Sequence, residues 1–140
     1  MILSLDTNVM VDILNDRRPA VRDRYDDAVA QGWMLVTSAL AAHELLYGAM
    51  ISPRPAVHVP NAQRLLRELD VVAWSLHDGV AAARLRRTLR RAGRTIGATD
   101  ALIAGQALAR EWTMVSANLR EYERVEGLTV VDWTSAPEGA

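Results

Sequence analysis

Apolar and polar positions follow two alternating regimes along the chain. Short continuous apolar runs, "ILSL" (2–5), "WMLVT" (33–37), "VVAWS" (71–75), "TMVSA" (113–117) and "LTVVDW" (128–133), have the length and residue types of buried strands. Between them lie longer segments whose apolar residues recur three and four positions apart, the helical period. These predict helices over Thr7–Asn15 and Pro19–Gln31, the second stopped by Gly32, and a helix capped by Ser38 that ends near Gly48. Further helices are predicted from a cap at Asn61, from His77 to about Ala92, and from Thr99 to Glu111. The stretch "ISPRPAVHVPN" (51–61), with its three prolines, reads as a loop, and only a short turn or helix separates the last two strands.

Strands separated by helices pair in parallel through right-handed crossovers. The expected fold is therefore α/β, a three-layer α/β/α sandwich around a central, mostly parallel sheet of four to five strands. The chain has no internal repeat or linker, and 140 residues suffice for one core. A single domain over residues 1–134 is expected, with "SAPEGA" (135–140) as a flexible tail.

Composition then removes chemistries. There is no cysteine, which excludes a disulfide framework, a thiolate metal site and a cysteine nucleophile. No apolar run approaches the roughly 20 residues of a membrane span, and no signal-peptide pattern opens the chain, so a cytoplasmic location is expected. The net charge of -1 hides an uneven distribution. All 16 basic residues are arginine, and six fall in "RLRRTLRRAGR" (84–94), which contains no acid. On a helix, Leu85, Leu89 and Ala92 form its apolar stripe and the arginines cover the rest, so Arg84, Arg87, Arg91 and Arg94 are candidate contacts for a phosphate backbone. A solvated helix face is the plainer alternative.

Three acids stand among apolar neighbours. Glu44 has Leu40, Ala41, Tyr47 and Gly48 three and four positions away; Asp100 has Ile96, Gly97, Ile103 and Ala104; Asp6 ends the first strand with Val9 and Met10 on its side. A buried carboxylate needs a partner, a raised pKa or a bound cation. Taken singly, Asp6 can cap a helix, Asp100 can complement a helix dipole and Glu44 can pair with an arginine. Taken together, all three can gather beyond the carboxyl ends of the strands, where open parallel sheets place their sites. An all-oxygen donor set suits Mg²⁺, with Mn²⁺ as a substitute, and such an ion can activate water against a phosphodiester. His43, His58 and His77 are isolated and are not assigned as ligands.

The blocks "LDTNVMVDIL", "ALAAHELLYGA", "GATDALIAGQAL" and "VSANLREYERVEGLTVVDW" resemble the PIN-domain ribonucleases, and among them the VapC toxins of bacterial VapBC toxin–antitoxin pairs. The resemblance implies a metal-dependent endoribonuclease in which Asp6, Glu44 and Asp100 are catalytic and hold Mg²⁺, and Thr7 supports the site. The family's fourth acidic position falls on Asn118, which implies a weaker ligand and a second ion held less well than the first. It further implies an RNA substrate, a homodimer, and a cognate VapB-type antitoxin whose basic C-terminal segment occupies the acidic site. Two alternatives stand beside this reading. A catalytically silent binding module would keep the fold, whereas a receiver-like signalling domain would need a lysine that this chain does not have.

Overall fold

The centre of the sheet is the first strand, β1 (Ile2–Leu5), whose Leu3 and Leu5 are almost wholly buried. The computed structural model describes residues 1–135, so the tail expected at 135–140 lies, apart from Ser135, outside the described residues. β1 leads to α1 (Thr7–Asn15) and α2 (Pro19–Ala30), then β2 (Met34–Ser38), α3 (Ala39–Met50) and α4 (Pro55–Glu68). β3 (Asp70–Val72), α5 (Leu76–Arg91), α6 (Ala98–Ala109), β4 (Thr113–Val115), α7 (Leu119–Tyr122) and β5 (Val130–Val131) complete the order. Every strand pair is parallel, and the strands lie in the order β3-β2-β1-β4-β5.

That order fixes where a site can form. The chain winds outward from β1 through β2 to β3, returns to the other side of β1 as β4, and winds outward again to β5. The reversal lies between β1 and β4, so the crevice beyond the carboxyl ends of these two strands is the switch point of the sheet. Asp6 follows β1 directly and Ser116 follows β4 directly; the Asp6 N–H donates to the Val115 carbonyl at 3.0 Å.

Local signals produce most of these elements. Ser38 caps α3 by accepting from the Leu40 N–H, and Gly32 takes a φ of 72° after α2, where a side chain would be strained. One expectation is corrected: residues 55–61 are helix, not loop, and Asn61 lies inside α4 instead of capping it. Pro55 occupies the first helical position, where a missing N–H costs nothing, and the Arg54 carbonyl accepts from the Val57 and His58 N–H groups at 3.1 and 3.0 Å. Pro60 then sits in the helix interior, tolerated there by the rest of the turn. No helix among the described residues is long and apolar enough to cross a membrane.

α5 and α6 form a locked pair. A Cβ at Gly105 would lie 2.6 Å from both the Cα and the Cβ of Ala82, so only glycine permits this approach. At the other end of the contact, the fully buried Asp78 accepts from Arg110 Nε at 3.0 Å and Nη2 at 2.9 Å, and from the Ser75 N–H at 2.8 Å. Burial pushes the Asp78 carboxyl up, but these hydrogen bonds outweigh it and hold the group below the usual carboxylate range. Gly105→Ala is expected to destabilise the fold by about 1–3 kcal/mol, the usual range for overpacking, as a lower midpoint in urea denaturation.

Candidate active site

Four elements deliver side chains to the switch point. Asp6 is the N-cap of α1, and its Oδ1 accepts from the Thr7 N–H at 2.9 Å. It is therefore both the cap that the sequence allowed and a buried acid, with 5% of its surface exposed. Its Oδ2 accepts from the Ser116 hydroxyl at 2.9 Å. Ser116 Oγ in turn accepts from the Asn118 N–H at 3.0 Å, which commits the serine proton to Asp6.

Asp100, in the first turn of α6, faces the same point. The Tyr122 hydroxyl lies 3.3 Å from Asp100 Oδ1 and 3.5 Å from Asp6 Oδ2, so one phenolic proton serves two carboxylates. Tyr122 is fully buried, and burial together with the two acids keeps its hydroxyl protonated. Glu44, half-buried on α3, is tied to the cluster from the other side, accepting from the Thr7 hydroxyl at 3.1 Å. Thr7 thus joins the site through both its backbone and its side chain.

Three residues of this arrangement were not read as site residues from the sequence. Glu121 of α7 hydrogen-bonds Asp100, and Asn118 donates its amide to Glu121 Oε2 at 3.2 Å. Asn118 and Glu121 are three apart at a helix start, a spacing that puts them on one face and was available in "NLREY". Ser116 and Tyr122 carried no comparable signal, because a serine after a strand and an aromatic in a short helix are ordinary packing residues. Of the four arginines expected on phosphate, Arg84, Arg91 and Arg94 are solvent-exposed, while Arg87 lines a groove on α5.

The electrostatics are those of crowded acids. Burial raises the Asp6 carboxyl, hydrogen bonds from Ser116, Thr7 and Tyr122 offset this in part, and Glu44 adds to the rise. Burial, the hydrogen bond with Glu121 and the charge of Asp6 push Asp100 up to about 7, while Glu121 is held below its usual value by the same hydrogen bond. An acid whose folded pKa exceeds its unfolded value favours the fold only while protonated. In chelator, stability is therefore expected to fall as pH rises from about 4 through 7. Asp100→Asn should flatten this fall, read as melting temperature between about pH 5 and 8.

The donor set fits a hard divalent cation. Asp6, Glu44, Asp100 and Glu121 offer only oxygen, and among the described residues no arginine forms an ion pair with any of them. Among the described residues no three acidic or histidine side chains are close enough to grip one ion jointly. A divalent ion held by one or two carboxylates and completed by waters is compatible with this spacing.

A parallel sheet with an acidic crevice at its switch point defines the class: an α/β protein whose site lies beyond the carboxyl ends of its central strands. The PIN domain model matches residues 3–128. The chain is 33% identical over 130 residues to the tRNA(fMet)-specific endonuclease VapC of Shigella flexneri, covering 93% of this chain and 96% of that one. It is 28% identical over 133 residues to ribonuclease VapC2 of Rickettsia felis, covering 95% and 98%. In structure it is similar to VapBC2 of Rickettsia felis bound to a promoter DNA fragment, with a TM-score of 0.88, 27% identity and coverage of 95% and 99%. DNA-bound VapBC of Salmonella typhimurium gives 0.87, 28%, 95% and 98%. The chain belongs to the PIN-domain family, and within it to the VapC ribonucleases, the toxins of VapBC toxin–antitoxin pairs.

Proposed function

We propose that Asp6, Glu44 and Asp100 perform the family's ribonuclease chemistry in this chain, with Glu121 as a fourth acid and Asn118 acting on Glu121 through its amide. The observation that supports this is the single Tyr122 hydroxyl shared by Asp6 and Asp100 across the switch point. PIN nucleases are metal-dependent, and the ion proposed here is Mg²⁺, with Mn²⁺ able to replace it. Bound there, such an ion supplies a water of lowered pKa and takes up charge on the scissile phosphate. The chain's own residues prepare the acids: Ser116 orients Asp6, Thr7 orients Glu44, and Tyr122 holds Asp6 and Asp100 at a fixed separation.

The partners follow the same line. The proposed seat for the C-terminal segment of a VapB-type antitoxin is an apolar cleft of about 380 Å³ walled by Val11, Leu14, Leu45 and Ala49 and bordered by Glu44, Arg17 and His58. Tyr47, Met50 and Ile51 at the end of α3 remain exposed, an apolar edge that supports a homodimer. The cytoplasm is the proposed location. As the Shigella relative is tRNA(fMet)-specific, that tRNA is the first substrate to try. The test is cleavage of tRNA(fMet) and of total bacterial RNA by antitoxin-free protein, with Mg²⁺ or with chelator. Metal-dependent fragments support the reading; no cleavage together with no Mn²⁺ binding by calorimetry overturns it in favour of a silent module.

A further inference from the structure

Beside the acidic site, but separate from it, a groove of about 650 Å³ runs between α5 and the turn that leads to α6. It is lined by Arg86, Arg87 and Arg90, by the apolar Leu89 and Ile96, and by Ala98 and Ala101, which flank Asp100 in the sequence. No carboxylate lines it. Among the described residues the ion pairs are Arg18–Asp12, Arg22–Asp26 and Arg110–Asp78, so the three groove arginines have no counter-charge of their own.

The helix geometry explains which arginines are used. Arg86 and Arg90 are four apart and share a face next to the buried Leu89, while Arg87, three after Arg84 and four before Arg91, stands between that face and theirs and still lines the groove. Arg84 and Arg91, seven apart, form a second stripe rotated away from the groove, and Arg94 follows the end of the helix. The groove also holds a fixed position relative to the acids. Gly105 against Ala82 and Asp78 against Arg110 lock α5 to α6, and Arg124 Nη1 donates to the Thr95 carbonyl at 2.8 Å, fastening the turn between them.

We propose that this groove holds a single RNA strand running into the acidic site, with Arg86, Arg87 and Arg90 on its phosphates and base faces against Leu89 and Ile96. The proposal rests on the ribonuclease reading above. Unpaired guanidinium groups complement a polyanion, and apolar side chains suit unstacked bases, which a single strand presents and a duplex hides.

The test is fluorescence anisotropy in chelator, where nothing is cut, with a labelled single-stranded RNA of about 15 nucleotides. The triple variant Arg86→Ala, Arg87→Ala, Arg90→Ala is expected to bind at least about 10-fold more weakly. Its slope of log affinity against log salt should fall by about 2, since each phosphate contact to a single strand contributes roughly 0.7. The triple Arg84→Ala, Arg91→Ala, Arg94→Ala should retain most of the affinity. Unchanged binding by the groove triple, equal loss in the control triple, an equal loss on duplex RNA, or no binding by the wild type at low salt overturns the proposal. Cleavage by the wild type with metal is read separately: cutting with an unaffected groove triple rejects the groove alone, and absent cutting together with absent Mn²⁺ binding rejects the catalytic reading.

Discussion

Asp6→Asn is expected to lower RNA cleavage at least about 1000-fold while raising the melting temperature of the metal-free protein. The loss follows from removing a charged oxygen donor at the centre of the site, where several kcal/mol of transition-state stabilisation corresponds to this factor. The gain follows from the same burial. The Asp6 carboxyl is raised, so at neutral pH its ionised form is less favourable in the fold than in the unfolded chain. Asparagine keeps an oxygen to cap the Thr7 N–H and removes the charge that burial and Glu44 oppose. A higher melting temperature than that of the wild type is expected in chelator by calorimetry at neutral pH. Opposite movement of activity and stability separates a site acid from a structural one, because a misfolded variant would lose both.

Arg110→Ala is expected to cost about 3–5 kcal/mol, the usual penalty for stranding a buried charge. Asp78 has no exposed surface and takes two of its hydrogen bonds from this guanidinium, which also lies over the Trp112 ring at 5.5 Å. The sign with pH is fixed by the depressed Asp78 carboxyl. Its contribution is present above the unfolded value and is lost as pH falls through the folded one. The gap between wild type and Arg110→Ala should therefore be widest at neutral pH and close in strong acid. Urea titrations across that range measure it, and the double variant Asp78→Asn, Arg110→Gln should recover much of the loss.

The sheet and its crossovers were legible because each rests on periodicity alone: four-residue apolar runs for β1 and its neighbours, helical spacing between them. Asp6 and Asp100 were legible because a carboxylate among apolar neighbours is costly without a purpose. Glu121 stands in the charged run "REYE", where acids are ordinary surface residues; its spacing from Asn118 was the one available signal, and the fold adds its hydrogen bond with Asp100. The start of α4 was hidden by three prolines, one of which begins the helix instead of preventing it. Charge density singled out the arginine segment, but not which arginines face the groove, because the turn that completes its lining has no periodicity.

Asp6 and Ser116 are hydrogen-bonded across 110 residues of chain. The strand that carries the first acid therefore stays unfinished until β4, made about 110 residues later, settles beside it. At about 5–20 residues per second, that interval lasts roughly 5–20 s, during which the nascent protein has its first acid and no assembled centre.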